Sequence, residues 1–531
     1  MDLAIFSARI FTNNPVQPWA EAIRIKNNRI LEVGSKEVVK DTCSSGTCVI
    51  ELPGRLIIPG IIDGHCHLVK FGQVLQWIDL RGLSSLAACR ERIRQAAQYS
   101  KPGEWIIGRG WDQHLWAEKR EPTRHDLDDL TPGNPTAMVR VCGHSIWTNT
   151  LALARSGINT QTRNPPGGRI ERDPDSGEPT GLIFEALSLI ENHIPPLSLE
   201  DRKRAALEAQ RKALQFGITG VHSCETLLEW AALEELVKEG KLKLRVYHCI
   251  PSDELEEAVS RKIGTGIDGN RLWAGHVKLF ADGSLGSATA LLHEPYIDAP
   301  QKYGIACLSP KELHEKITAA YCHGYDVAIH AIGDKAVTNV LEAIASARKS
   351  YPGARRDRIE HVQLFRPRDL ALFRDLGVTA SVQPVFLCSD WKMAIKKWGT
   401  DRCRFAYAWK SLLNAGIPLQ FGSDAPVESI NPLLGFQGAV TRQNLAGEPR
   451  NGWFPMEKLG ADECISAFTL QPAWTSRKED HLGILSPGKW ADLTIYNQDF
   501  LKLSPDRWPF VEVEMTVVDG EVVYQREKSV Q

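Results

Sequence analysis

The chain's first strong pattern is a short apolar run, Leu56-Ile57-Ile58-Pro59-Gly60-Ile61-Ile62, that gives way to Asp63-Gly64-His65-Cys66-His67. A brief, β-branched run bounded by Gly and Pro predicts one buried strand. Side chains alternate faces along a strand, so His65 and His67 share a face and Cys66 takes the other. Comparable runs recur at residues 217–222, 242–248, 276–280, 326–330, 358–362, 378–382 and 418–424. Helical spacing of apolar positions falls between several of them, at 201–215, 310–322, 335–349 and 367–376. Eight strands alternating with helices predict an α/β fold built on a (β/α)8 TIM-type barrel.

The two ends of the chain have a different texture. Strand-like runs cover 3–11, 22–26, 29–33 and 48–52, with Asn27-Asn28 as a hairpin turn because Asn tolerates positive φ. Near the C-terminus, 491–496 reads as a strand and 516–524 as a hairpin with Asp519-Gly520 at its tip. These ends predict a small β-sandwich domain assembled from 1–55 plus 480–531, flanking a barrel at 56–479. About 150 residues separate the first two barrel strands, far more than a crossover needs. Residues from about 84 to 200 are therefore expected to be a loop-rich insertion, placed by connectivity beside the barrel mouth.

Composition narrows the function classes. A net charge of −2 over 531 residues leaves no footprint for nucleic acid or an anionic membrane. No apolar stretch of about 18 residues is present, and the first residues lack a basic region followed by a long apolar one. Twelve cysteines without a CxxC pair favour reduced thiols and a cytoplasmic setting. Several of the fifteen tryptophans (Trp105, Trp111, Trp116, Trp147) crowd into the insertion, as packing residues or as the wall of a pocket.

Candidate chemistry comes from the C-terminal ends of the predicted barrel strands, where this fold places its sites. Those ends carry His65, His67, His222, His248, Lys278, His330, His361 and Asp424. A bare His-x-His pair is readily structural, because a metal needs further ligands. Six of fifteen histidines at predicted strand ends shift the reading towards a metal site, and neutral imidazoles with an aspartate suit Zn²⁺. An ammonium at Lys278 cannot ligate. Carbamylation would convert it to a bridging carboxylate, and a lysine paired with a neighbouring carboxylate is the alternative.

These residues resemble the amidohydrolase superfamily, in its branch called amidohydrolase family 3, which includes YtcJ-like proteins and N-substituted formamide deformylases. The matching stretches are Pro59 through His67, Gly108-Arg109-Gly110-Trp111-Asp112, Lys278-Leu279-Phe280-Ala281-Asp282-Gly283-Ser284, Ile329-His330-Ala331-Ile332-Gly333-Asp334, Ile359-Glu360-His361 and Gly422-Ser423-Asp424-Ala425-Pro426. The resemblance implies metal ligands at His65, His67, Lys278, His330, His361 and Asp424. In the family pattern the paired His and the aspartate serve one metal and the two later His the other, with a modified lysine between. His222 and His248 then support the ligands or pack. Expected cofactors are one or two divalent ions, with zinc favoured, and carbamylation of Lys278 as an option. Gly483 to Lys489 has the frame of a phosphate loop but lacks its Ser or Thr, contains Pro487 and leads into a strand, so that reading fails.

The expected activity is metal-dependent hydrolysis of a non-peptide carbon–nitrogen bond in a linear amide, such as an N-acyl or N-formyl amine. Metal-bound hydroxide attacks the carbonyl, and Asp424 shuttles the proton to the leaving nitrogen. A turn or cap role is the alternative for Asp424. Trp111, Asp112, His144, Trp147 and Asp282 are candidate substrate contacts, each with a packing or turn role as alternative. Two other functions stay open: a cyclic amidase of hydantoinase or imidase type, and a catalytically silent binding or regulatory protein. The expected partner is a small-molecule substrate, with no nucleic acid and no membrane, and a homodimer as an oligomeric option.

Overall fold

The computed structural model describes residues 2–165, 167–264 and 270–527. The apolar run at 56–62 is two strands rather than one. Leu56–Pro59 pairs antiparallel with Leu493–Tyr496, whereas Ile61–Cys66 pairs parallel with Ile218–Cys224. Gly60 lies at the break, and a Cβ there would sit 2.4 Å from Thr219 Oγ1, so the chain passes where a larger residue cannot. Both strands are buried on both faces, which is why they read as one continuous run.

Ile61–Cys66 opens an eight-stranded parallel sheet. It continues through Ile218–Cys224, Arg245–Pro251, Leu272–Phe280, Asp326–Ala331, Arg358–His361, Thr379–Val382 and Leu419–Phe421, each beside its predecessor. The last strand meets the first again: Gln420 Nε2 donates to Gly64 O at 2.9 Å, and the Asp424 N–H donates to His65 O at 2.7 Å. Helices alternate with the strands, including Leu199–Gln215, Pro310–Cys322, Asp334–Ser350 and Asp369–Leu376. Pro310–Cys322 begins with a capping box, Ser309 and Glu312 each bonding the other's backbone, and with Pro at its first position. The expected TIM-type barrel is therefore the fold.

The chain ends form two further sheets. One orders Arg29–Gly34, Ala22–Lys26, Asp2–Phe6 and Cys48–Glu51; the other orders Glu521–Gln525, Val513–Val518, Leu493–Tyr496, Leu56–Pro59, Arg9–Phe11 and Trp19–Ala20. Their apolar faces share one core, in which Ile5, Ile23 and Ile25 join Ile57, Ile495 and Val517. The predicted single strand at 3–11 divides at Ser7, whose φ of 60° turns the chain from one sheet into the other.

Residues 73–201 form a compact unit of their own. This segment is not loop-rich: it holds a six-stranded sheet ordered Arg169–Arg172, Pro179–Phe184, Ser145–Thr148, Thr136–Arg140, Ile106–Trp111 and Ile78–Asp79. Strands this short and interrupted by polar residues leave a weak periodic signal.

Candidate metal centre

The strand ends deliver the six residues singled out by the sequence to one cavity of about 420 Å³. His65 lies within the first barrel strand and His67 just beyond it; Lys278, His330 and His361 lie at the ends of their strands, and Asp424 follows the last. His65, His67 and Asp424 each offer a ligand atom within 4.8 Å of the other two. The His330 and His361 ring centroids are 4.5 Å apart, and His361 is 5.1 Å from His65. His361 and Asp424 hold φ values of 77° and 58°, a region L residues rarely adopt. Such strain persists where surrounding structure over-determines it, and it clusters at working sites.

Each imidazole is anchored through one nitrogen. His65 Nδ1 meets Glu360 Oε2 at 2.6 Å, His67 Nδ1 meets Cys224 O at 2.7 Å, and His361 Nδ1 meets Gln383 Oε1 at 2.7 Å. His330 uses the other nitrogen, with Nε2 3.0 Å from Gly283 O. Every partner is an acceptor, so the anchored nitrogen carries the proton and the remaining one keeps its lone pair. That is the arrangement by which supporting groups set the tautomer of metal-binding histidines. The two free Nε2 atoms of His65 and His67 lie 3.5 and 3.2 Å from Asp424 Oδ1. Asp424 Oδ1 is buried and makes no regular hydrogen bond. An acceptor oxygen facing two acceptor nitrogens is a donor set that a divalent cation satisfies.

Electrostatics follow from this crowding. Burial opposes the charge of Asp424, but its contact with His67 and the neighbouring imidazoles of His65 and His361 outweighs it and holds its carboxyl below the usual range. His330, buried and close to the Lys278 charge, falls to about 4. Lys278 is 5% exposed, and its ammonium lies 5.0 Å from the centroid of the Phe280 ring, where its charge adds to those that stabilise the Glu360 carboxylate.

Residues the sequence reading had not assigned support this centre. Glu360 is fully buried between His65 and Arg358, whose Nε lies 2.7 Å from Glu360 Oε1. Burial disfavours the Glu360 charge, and Arg358 and His65 more than restore it, keeping the carboxyl well below its ordinary range. Asp63 accepts from the Ser423 hydroxyl at 2.5 Å and from the Ser423 and His65 N–H groups, tying the two ends of the barrel together. The signal was present: Arg358-Ile359-Glu360-His361 places three polar residues in a buried strand, which demands that they satisfy one another.

The other predicted positions fall elsewhere. His222 is buried against Arg358, 2.7 Å from its Nη1, and His248 is buried beside Trp230; neither lines the cavity. Asp282 is buried too, and accepts N–H bonds from Leu291, Ile332 and Gly333 at 2.8, 3.0 and 2.8 Å. It holds the loop after Lys278 against the loop after His330, the turn role rather than substrate contact. In the unit 73–201, Trp111 and Trp147 are core residues that pack with Trp116, and their indole N–H groups are spent on Met138 O and Thr123 O. Packing, not a pocket wall, is what that geometry gives them. Asp112 faces Arg140 at 3.7 Å, and His144 is exposed beside Glu185.

Comparison with known proteins gives the family. The amidohydrolase family model matches residues 48–524. Protein LONG AFTER FAR-RED 3 of Arabidopsis thaliana is 36% identical, covering 93% of this chain and 87% of that protein. The putative amidohydrolase YtcJ of Bacillus subtilis is 34% identical, over 95% and 96%. The N-substituted formamide deformylase of Arthrobacter pascens is 27% identical, over 99% and 98%. An uncharacterized metal-dependent hydrolase from Pyrococcus furiosus superposes with a TM-score of 0.80 at 31% identity, covering 94% of this chain and all of that one. A barrel whose strand ends gather histidines and an aspartate into one cavity, matched along nearly its full length, makes this chain a metal-dependent hydrolase belonging to the amidohydrolase family.

Proposed function

We propose that the protein hydrolyses the carbon–nitrogen bond of a linear amide, an N-acyl or N-formyl amine. The observation that carries this reading is the buried, unbonded Asp424 Oδ1 facing His65 and His67 in a cavity with apolar walls. The full-length similarity to an N-substituted formamide deformylase supports the amide class. His65, His67, Lys278, His330, His361 and Asp424 would hold one or two divalent ions, zinc by preference for this donor set, with Lys278 entering as its carbamate. Such an ion supplies Lewis acidity, polarising a carbonyl and lowering the pKa of water to about 7. Asp424 then does the proton work: its carboxylate takes a proton from the attacking water and delivers it to the departing nitrogen. Glu360, Gln383, Cys224 O and Gly283 O keep the imidazoles in the tautomers this needs.

An Asp424→Asn variant tests the proposal. Most of the metal should stay on the remaining ligands while kcat on an N-formyl amine falls about 10²- to 10⁴-fold. Unaltered turnover would remove the proton role from Asp424. Hydrolysis of hydantoins with no turnover of linear amides would replace the linear class by the cyclic one.

A further inference from the structure

The catalytic cavity has a wall that the chemistry above leaves unused. Asp390, on the helix Pro384–Trp398, and Glu428, shortly after Asp424, both line it. Asp390 accepts from the Tyr407 hydroxyl at 2.7 Å, and Glu428 from the Ser389 hydroxyl at 3.0 Å. Among the described residues neither is ion-paired with a basic side chain. Burial raises both carboxyls above their ordinary range, and for Glu428 the neighbouring Asp390 charge adds to the effect. Ser389, which bonds Glu428, directly precedes Asp390, so the two carboxylates line the same stretch of wall without an ion-paired cation.

A second feature points the same way. Gln363 is 4% exposed and lines the same cavity, and its Oε1 is buried with no hydrogen-bond partner. A buried acceptor left unbonded is costly, and a donor on a bound molecule would recover that cost. The surfaces around these acceptors are apolar, with Phe280, Leu285, Phe386 and Met393 among them. Apart from the imidazoles, Lys278 is the one basic side chain in the lining.

We infer that Asp390, Glu428 and Gln363 form an acceptor wall that selects amides whose amine portion carries a second, cationic amino group on an apolar spacer. This rests on the amide-hydrolase reading and deepens it. An ammonium brought into the cavity supplies the cation that the two carboxylates lack, and adds N–H donors beside the unbonded Gln363 oxygen. A neutral substrate leaves both carboxylates unpaired, and an anionic one adds repulsion, so discrimination comes from what the wall rejects as well as from what it holds. The apolar side chains favour an aliphatic or aromatic spacer over a polar one.

Two probes test the inference on the metal-loaded, full-length enzyme: N-formylbenzylamine and N-formyl-4-(aminomethyl)benzylamine, which differ only by the distal aminomethyl group. The expected kcat/KM is at least about tenfold higher for the aminomethyl probe. In E428Q and in D390N the ratio between the probes should collapse towards one, a quantity that a general loss of folded enzyme does not move. A wild-type ratio near one, or a ratio untouched by both substitutions, overturns the inference while leaving amide hydrolysis standing. Calorimetry with benzylamine, a cation at neutral pH, and benzyl alcohol, its neutral counterpart, gives a readout independent of turnover. At least about tenfold tighter binding of the amine to the wild type, lost in E428Q, supports the wall even where neither formamide is hydrolysed and the activity reading fails. Equal binding of the two overturns it.

Discussion

Glu360 carries a full negative charge in a place with no access to water, and only its two partners make that tolerable. Arg358 lies 2.7 Å from one oxygen and His65 Nδ1 2.6 Å from the other. Removing one member of a buried pair costs about 3–5 kcal/mol, because the survivor stays charged and unpaired. Glu360→Leu should therefore destabilise the protein by that order and weaken metal binding about 10- to 100-fold, since the His65 ring loses the acceptor that fixes its tautomer. Urea unfolding and competition against a chromophoric chelator measure the two effects. Wild-type metal affinity in a folded variant would show that His65 does not depend on this support. At this scale the sequence is legible for ligands and opaque for their supports. Histidines at strand ends announce themselves because few residue types bind metals. Glu360 and Gln383 gain their meaning from partners on other strands, and Gln363 from a cavity that exists only after folding.

The strands were legible for a related reason. A parallel barrel strand is buried on both faces, so it reads as an unbroken β-branched run whatever its neighbours do. The same property hid the boundary at Gly60, where two such strands follow each other into different sheets. The strands of the insertion, short and mixed, carry no comparable run, so its sheet leaves little trace in the sequence. Closure of the barrel depends on glycines where strands approach. At Gly422 an added Cβ would lie 2.5 Å from the His65 backbone nitrogen and 2.7 Å from its Cβ, neither of which can step aside. Gly422→Ala should cost about 1–3 kcal/mol and reduce metal affinity, because the strain falls on the backbone that presents His65 and Asp424. Thermal unfolding with and without added Zn²⁺ checks both parts. A variant whose melting temperature and zinc-induced shift match the wild type would mean that the strands can separate without disturbing the ligands.

At the scale of the molecule, the chain ends are fastened to the barrel by charge as well as by apolar packing. Arg245, at the start of a barrel strand, is 1% exposed. Its guanidinium makes a two-pronged contact with Asp492, at 2.7 and 2.8 Å, and reaches Asp519 at 3.1 Å. It also lies over the Trp490 ring, 4.2 Å from the centroid. Asp492 accepts the Asp519 N–H at 2.9 Å, and its carbonyl accepts the N–H of Gly60, the residue at which the first barrel strand departs. Nothing in the local pattern of Trp490-Ala491-Asp492 distinguishes it from an ordinary strand entry, so this junction was invisible to periodicity. Planar guanidinium against carboxylate is the geometry that best offsets the desolvation of both ions. Removing the carboxylate leaves Asp519, itself partly exposed, as the remaining anion for a buried cation. Asp492→Ala should therefore destabilise the protein by about 3–5 kcal/mol, while Arg245→Met with Asp492→Leu, which removes both charges at similar volume, should recover most of the loss. Amide exchange locates the effect. Protection should fall first in Leu493–Tyr496 and Leu56–Pro59, and the barrel strands that carry the histidines should keep theirs. Uniform loss across both sheets would show that the terminal sheets and the barrel unfold as one unit and that this ion pair does not mark a boundary between them.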